Sequence, residues 1–254
     1  MSRYTLGLDY GSDSVRALLV DVTTGKELAS HLVNYPRWAQ GLYCDPSKDQ
    51  FRQHPQDYID SLIEVVNGLW QQVPAGTADK VIGMSFDTTG STPVAINSQG
   101  TPLALTEEFA ENPNAMFILW KDHTSIKEAN EITKAATNNE VNYLSHMGGI
   151  YSSEWYWAKA LHIFRDDAAV KAATYSWVEH CDWMTALMCG TTHPEVLTLG
   201  RCATGHKQMW NEQWGGFPPN SFFSNICKNI FCTCYIWKFF ITLWKRSINL
   251  NRII

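Results

Sequence analysis

Several common signatures are missing from this sequence of 254 residues, and each absence argues against a class of protein. The seven cysteines form no Cys-x-x-Cys pair, so neither a zinc site nor a disulfide framework is predicted. No Asn-x-Ser/Thr acceptor occurs, and charged residues interrupt the first twenty positions, where a secretory signal needs an apolar stretch. We therefore expect a reducing, cytoplasmic setting.

The usual nucleotide-binding signatures are missing as well. Residues 200–208 superficially resemble a P-loop, but His206 separates the last glycine from Lys207, and no Ser or Thr follows the lysine. No Gly-x-Gly-x-x-Gly follows a predicted strand either. If the chain binds a nucleotide, it must use a different architecture.

Acidic residues outnumber basic ones in most of the chain, but they are absent from its end. The sequence has 20 Lys and Arg against 25 Asp and Glu, a formal net charge of −5. Residues 221–254 carry five of the basic residues and no acidic one, which leaves 15 against 25, or −10, in residues 1–220. An acidic body argues against nucleic acid as a partner, because binding a phosphate backbone needs a basic surface.

The rest of the sequence alternates between strand and helix patterns, which indicates an α/β domain. Three strands in succession predict an antiparallel meander at the start, and Gly190 is expected to end the last clear helix. The predicted elements are strands over residues 4–10, 15–22 and 27–33, a loop over 36–55, a helix over 56–71, a buried strand over 80–86, a hairpin of 92–96 with 102–105, helices over 123–136 and 153–165, a strand over 175–178 and a helix over 182–189.

A carboxylate and several hydroxyls stand at the end of the first predicted strand. Asp9 is followed by Gly11 in a turn and by Ser12 and Ser14. Such a turn suits Mg²⁺ and a nucleotide phosphate, because glycine lets backbone amides approach the phosphate and the hydroxyls can donate hydrogen bonds. An ordinary hairpin with solvated polar residues is the alternative interpretation.

A second group of polar residues, Asp87, Thr88 and Thr89, follows the predicted strand over 80–86 and is closed by Gly90. A carboxylate and hydroxyls close together on one loop suit a polyol, because each sugar hydroxyl both donates and accepts hydrogen bonds. Asp87 could equally well cap a turn. Lys207, taken alone, is more typical of a solvated surface lysine.

Together, these segments resemble the FGGY carbohydrate kinases. Residues 9–21, D-Y-G-S-D-S-V-R-A-L-L-V-D, are similar to the first phosphate motif of that family, roughly D-x-G-T-x-S-x-R, with Ser12 in place of the usual threonine. Within the family, the match to the enzymes that act on L-ribulose runs from about residue 4 to 223. It includes F-D-T-T-G at 86–90, L-W-K-D-H at 119–123 and A-T-G-H-K at 203–207, with Trp210.

The resemblance implies the actin-like, ribonuclease-H-like first domain of a sugar kinase, with the sugar bound along one wall of an interdomain cleft. It implies a cytoplasmic enzyme of arabinose catabolism that uses ATP and Mg²⁺ to convert L-ribulose to L-ribulose 5-phosphate. The implied partners are therefore small molecules, with neither nucleic acid nor a membrane, and a homo-oligomer is compatible with the family.

The resemblance also assigns a role to each matching residue. Asp9 would hold the metal, and it would form the phosphate turn with Gly11, Ser12 and Ser14. The sugar wall would comprise Asp87, Thr88, Thr89, Gly90, Trp120, Lys121, Asp122 and Lys207.

A large part of such a kinase has no counterpart in this sequence. In the family, the catalytic Asp, the second phosphate loop and the adenosine pocket come from the second half of a chain about twice this length. No acidic residue follows Glu212, so the remaining residues cannot supply the carboxylate base that phosphoryl transfer to a hydroxyl needs. The alternative to an active kinase is therefore an inactive, truncated fragment that at most binds sugar.

Residues 224–254 contain no Gly, Ala, Pro, Asp or Glu, and they lie beyond the predicted kinase domain of residues 1–223. A membrane anchor needs about 20 mostly apolar residues, but Lys228 and Lys238 interrupt the stretch, and a lysine near a helix centre costs roughly 3 kcal/mol. A folded extension would show turn residues and acidic positions. Translated out-of-frame or non-coding sequence fits the composition better, so we expect a truncated kinase with a non-native tail and poor solubility.

Overall fold

A computed structural model describes residues 2–226, and strands and helices alternate along them. The strands are β1 (Tyr4–Tyr10), β2 (Ser14–Asp21), β3 (Glu27–Asn34), β4 (Cys44–Asp45), β5 (Gln50–Gln53), β6 (Val81–Thr88), β7 (Pro93–Ile96), β8 (Phe117–Ile118) and β9 (Ser176–Glu179). The α-helices are α1 (Pro36–Ala39), α2 (Pro55–Trp70), α3 (Ile126–Thr137), α4 (Tyr156–Asp166), α5 (Ala168–Ala173), α6 (His180–Cys189), α7 (Arg201–Lys207) and α8 (Asn220–Ile226).

The chain divides into two compact units. The first comprises Met1–Cys44 and Gln53–Thr89, and the second comprises Asp45–Arg52 and Gly90–Ile254. Residues 227–254, and with them most of the predicted tail, lie outside the described residues. The predicted boundary between residues 223 and 224 stays a prediction.

A four-stranded sheet in the order β3-β2-β1-β6 forms the first unit. β1, β2 and β3 make the predicted antiparallel meander, and β6 joins β1 in parallel. Alternate residues of β1, including Leu8 and Tyr10, are buried on one face, as the period of two in a strand requires. Helix α2 covers this face, and the Tyr58 ring packs edge-on against Tyr10 with ring centroids 5.9 Å apart.

Helix α2 begins where the sequence supplies a start signal. His54 caps the helix by accepting a hydrogen bond from the Gln56 N–H at 3.1 Å, and Pro55 occupies the first turn, where it sacrifices no helical hydrogen bond. Tyr58, Val65 and the other buried positions recur every three or four residues, which gives the helix one apolar face.

The second unit combines a short antiparallel pair, β7 with β9, and the helices from α3 onward. Its core contains the large buried side chains Trp157, Trp177 and Trp183. Helix α6 ends at Gly190, whose φ of 65° is a left-handed conformation that glycine adopts without steric cost. This end confirms the sequence prediction.

Three expectations from the sequence are wrong in detail. Residues 36–55 are not a continuous loop, because Pro36 begins the short helix α1 and two short strands follow it. Leu103–Leu105 forms a 3-10 helix instead of a hairpin strand. Pro102 makes an isolated antiparallel bridge with Ile96, as the hairpin predicts. It has no N–H to continue a strand ladder, and its carbonyl accepts from the Leu105 N–H at 2.9 Å, which starts the 3-10 helix.

The third correction concerns β6, which the apolar run over 80–86 predicts to be buried. Among the described residues β6 is an edge strand, and Ile82 and Met84 are 58% and 43% exposed. Helix α2 packs on β2 and β3, which lie on the far side of β1 from β6. Burial of β6 would therefore need further structure against it.

Within residues 2–226 no helix combines the length and the apolar character that crossing a bilayer demands. The stretch that raised the possibility of a membrane anchor begins at residue 226 and continues into the part of the chain that is not described. None of the four cysteines of the described part is in a disulfide.

Candidate functional site

The turn between β1 and β2 brings the predicted phosphate-binding residues together. The two strands are antiparallel neighbours, and the Gly11 N–H closes the turn by donating to the Ser14 carbonyl at 2.9 Å. The Asp13 carboxylate accepts from the Trp38 indole N–H at 2.6 Å, which ties the turn to the chain beyond β3. One short stretch of the first unit thus holds Asp9, Gly11, Ser12 and Ser14.

Two carboxylates stand side by side next to this turn. Asp9 of β1 pairs with Asp87 of β6 in parallel register, and paired residues of adjacent strands share a face of the sheet about 4.8 Å apart. Leu8 and Tyr10 point to the opposite, buried face. Asp9 and Asp87 are both exposed, so the two carboxylates lie on the open face of the sheet, away from α2.

Thr88 and Thr89 continue directly from Asp87. The Thr88 N–H donates to Asp87 Oδ1 at 3.0 Å, and the Thr89 N–H donates to the Tyr10 carbonyl at 3.0 Å. The resemblance implies that Asp87 and Thr88 lie in a loop after a central strand. In the structure they are instead the last two residues of β6. The strand stays paired with β1 up to this point, which extends it by two residues beyond the predicted end.

In the second unit, Lys207 lies against Gly90. A Cβ atom added at Gly90 would overlap the Lys207 ammonium, so the absence of a side chain at Gly90 makes room for that charge. Lys207 is the last residue of α7, and its carbonyl accepts from the Tyr151 hydroxyl at 2.5 Å. These two predicted sugar-wall residues, 117 positions apart, are therefore neighbours.

The predicted segment 120–122 presents its three side chains differently. Trp120 is 38% exposed, and the Lys121 ammonium lies 4.4 Å from the centroid of the Phe51 ring. Asp122 is fully buried and forms an ion pair with Arg52 at 2.8 Å.

Both oxygens of the Asp122 carboxylate accept hydrogen bonds from protein groups. Oδ2 accepts from Arg52 and from the Phe51 N–H at 2.8 Å, and Oδ1 accepts from the Thr124 hydroxyl at 2.6 Å and its N–H at 3.1 Å. Asp122 therefore shapes the turn that carries Trp120 and Lys121, from beneath that turn.

Lys159 is a further buried residue of this region, and it lies outside the sequence motifs. Its ammonium donates to the carbonyls of Ser91, Ile118 and Leu119 at 2.9, 3.2 and 2.8 Å, so it ties the segment after Gly90 to the segment before Trp120. Burial lowers the pKa of Lys159 to about 7. The sequence does contain a signal for this role, because Lys159 is a charged residue placed among the apolar, buried positions of α4.

Glu179 supports the same segment from β9. Its carboxylate accepts from the Ser91 hydroxyl at 2.8 Å and from the Thr92 N–H at 2.9 Å. The carboxylates of Glu179 and Asp122 raise the pKa of Lys159, while the Arg52 charge and, most strongly, burial lower it. The candidate sugar wall of the second unit thus rests on a buried network of two cations and two anions.

The twelve predicted site residues divide between the two units, and each group is described within its own unit. The first unit holds Asp9, Gly11, Ser12, Ser14, Asp87, Thr88 and Thr89, and the second holds Gly90, Trp120, Lys121, Asp122 and Lys207.

Solved sugar kinases share this fold. The xylulose kinase from Bifidobacterium adolescentis matches with a TM-score of 0.61, covering 95% of this chain and 46% of that chain at 14% identity. At this identity the likeness establishes the fold alone, which is the actin-like α/β fold of the FGGY sugar kinases, as the motifs predict.

Sequence comparison finds relatives of this chain within one group of sugar kinases. The chain is 50% identical over 225 residues to the ribulokinase of Vibrio parahaemolyticus, covering 88% of this chain and 40% of the relative. It is 35% identical over 232 residues to the ribulokinase of Shouchella clausii, with the same two coverages. No family model matches the chain. The chain is therefore related to the ribulokinases, which confirms the resemblance, and it spans about 40% of the length of the curated relatives it matches.

Proposed function

We propose that this chain is the sugar-holding and phosphate-cradling part of an ATP-dependent kinase whose reaction converts L-ribulose to L-ribulose 5-phosphate. The observation that carries the proposal is the pairing of Asp9 with Asp87 beside the Gly11 turn, in a chain 50% identical to a ribulokinase. A phosphate turn and a polar strand end then meet on one face of the sheet in the first unit.

The donor set of the first unit fits a magnesium nucleotide. Mg²⁺ prefers hard oxygen ligands, which Asp9 supplies, and a glycine turn with hydroxyls suits phosphate oxygens. Among residues 2–226 no cluster of three or more His, Cys, Asp or Glu side chains forms a metal site, so a cation here would complete its shell with phosphate oxygens and water. When bound, Mg²⁺ would neutralise charge on the transferring phosphoryl group.

The residues of the second unit suit a polyhydroxylated substrate. Lys207 offers three N–H donors and a positive charge, and Trp120 offers a partly exposed aromatic face. The buried network around Lys159 keeps the segments that carry Gly90 and Trp120 in place. Preorganised donors of this kind bind a sugar without reordering cost.

The chain binds but does not transfer in this proposal. Phosphoryl transfer to a hydroxyl needs a general base, and family resemblance puts that base in a part of the kinase that this chain does not match. Since the chain spans about 40% of its curated relatives, catalysis would require the remaining part.

The test combines sugar binding with an assay for turnover. L-ribulose should raise the melting temperature of the purified chain, and an ADP-release assay with ATP and L-ribulose should show no turnover. Lys207→Met should lose the sugar-dependent stabilisation, whereas Lys134→Met, which removes an exposed lysine of α3, should retain it. Stabilisation that survives Lys207→Met, or none in the wild type, would contradict the sugar site.

A further inference from the structure

The carbonyl groups of the phosphate turn are held from behind by buried donors. The Tyr35 hydroxyl donates to the Gly11 carbonyl at 3.2 Å, and the Gln53 side-chain amide donates to the Ser12 carbonyl at 2.6 Å. Tyr35 is fully buried and Gln53 is 2% exposed. Two successive carbonyl oxygens of the turn therefore point into the first unit.

Peptide geometry then fixes the direction of the two amide groups that follow. In a planar trans peptide the C=O and the next N–H point in opposite directions. The only cis peptide among the described residues joins Gly90 and Ser91, so both peptides of the turn are trans. The N–H groups of Ser12 and Asp13 therefore point away from the interior. Successive N–H groups with this orientation form an anion-binding concavity.

Tyr58 holds both donors in place, Gln53 through a hydrogen bond and Tyr35 through ring packing. The Tyr58 hydroxyl donates to Gln53 Oε1, which leaves the Gln53 amide nitrogen facing the turn. The Tyr58 and Tyr35 rings pack edge-on with centroids 5.2 Å apart. Burial raises the pKa of both tyrosines, so both hydroxyls keep their protons across the ordinary pH range.

We propose that Tyr35, Gln53 and Tyr58 are positioning residues for nucleotide phosphate: they hold the Gly11 and Ser12 carbonyls inward and so aim the Ser12 and Asp13 N–H groups at phosphate oxygens. The inference rests on the proposed function, which supplies the nucleotide. Without these donors the carbonyls are free to turn outward, where their negative ends oppose the phosphate charge.

The experiment measures the dissociation constant of Mg²⁺·pyrophosphate for the full chain by isothermal titration calorimetry, because the resemblance places the adenosine pocket in the part of the kinase that this chain does not match. Tyr35→Phe removes the donor to Gly11, and Tyr58→Phe removes the group that orients Gln53, while both keep the ring packing. One hydrogen bond contributes about 0.5–1.5 kcal/mol, so each variant should weaken pyrophosphate binding by roughly twofold to twelvefold. Affinity for L-ribulose should stay unchanged in both variants, a split that a merely structural role would not produce.

Tyr156→Phe is the matched control. Tyr156 is also a buried tyrosine whose hydroxyl donates to a backbone carbonyl, that of Trp177 at 2.9 Å, but it lies in the second unit. It should lose comparable stability without any change in pyrophosphate affinity.

Each outcome has a defined meaning. Wild-type pyrophosphate affinity in Tyr35→Phe and Tyr58→Phe, or an equal loss in Tyr156→Phe, overturns the positioning role and leaves the proposed function intact. Failure of the wild-type chain to bind Mg²⁺·pyrophosphate contradicts its phosphate site, and the positioning role falls with that site.

Discussion

At the scale of single residues, Gly90 matters for the space that it leaves to Lys207. The atom that a Cβ at Gly90 would displace is the end of a long, flexible side chain, so a methyl group there can be accommodated by moving the Lys207 ammonium. Gly90→Ala should therefore change the free energy of unfolding by less than about 1 kcal/mol, yet it should reduce L-ribulose affinity.

The comparison variant for this prediction is Gly83→Ala, because a Cβ at Gly83 meets no atom within 4 Å. Chemical denaturation and sugar titration of both variants separate stability from binding. Equal sugar affinity in Gly90→Ala and Gly83→Ala would show that the position of the Lys207 ammonium is unimportant for the sugar.

Glu128 is a residue away from the candidate site whose charge stabilises the second unit. Burial alone would raise its pKa, but the neighbouring His162, at 3.4 Å, and Arg165, at 2.9 Å, outweigh burial and hold the pKa at about 2. Because the folded pKa lies below the unfolded value of 4.5, this stabilisation is complete above pH 4.5 and disappears as the pH falls toward 2.

This linkage predicts the acid limb of the stability curve. Urea unfolding between pH 2 and pH 7 should show wild type losing on the order of 2 kcal/mol over that interval through Glu128. Glu128→Gln should have a lower free energy of unfolding than wild type at pH 7, and that free energy should decrease less as the pH falls. An acid limb of the same depth in both proteins would contradict the assignment.

At the scale of elements, β6 is the strand of the four-stranded sheet that has no buried residue. Among the described residues it is an edge strand, and exposed apolar edge strands are sites of aggregation. Ile82→Lys should reduce aggregation, measured by light scattering at increasing protein concentration, while the far-UV circular dichroism spectrum stays unchanged.

A matched control is available on α2. Ile63 is 58% exposed, the same fraction as Ile82, but its backbone is satisfied within a helix. If only the apolar side chain mattered, Ile63→Lys would reduce aggregation as much as Ile82→Lys. A larger effect at Ile82 supports the role of the strand edge.

The elements also show how far a sequence can be interpreted alone. β1, β2 and β3 were predicted to within one residue, because alternating apolar positions and a Thr-Thr-Gly turn are local signals. The exposure of β6 was not predicted, because an apolar run does not say which neighbours cover it. The 3-10 helix after Pro102 was missed because four residues suit either conformation.

Site residues divide in the same way. Local composition and family resemblance predict the carboxylate and hydroxyl segments around Asp9 and Asp87 as site residues, but they do not predict the residues that support those segments. Lys159 lies 68 positions from Ser91, and Gln53 lies 41 positions from Ser12. Hydrogen bonds over such separations depend on tertiary packing, and nothing in the adjacent letters marks them.

At the scale of the whole molecule, the chain has the fold of a sugar kinase and matches about 40% of the length of the ribulokinases. The described residues supply the proposed phosphate turn in one unit and a buried charge network beneath polar segments in the other. In our proposal, this chain contributes the binding of the sugar and of the nucleotide phosphates to the reaction.

The most direct test of this account is an amide NMR titration of the chain with L-ribulose, which reports the binding site residue by residue. The account predicts chemical-shift changes concentrated at Gly90, at residues 119–122 and at Lys207, with saturation as the sugar concentration rises. No saturable change, or changes confined to residues remote from these positions, would contradict it.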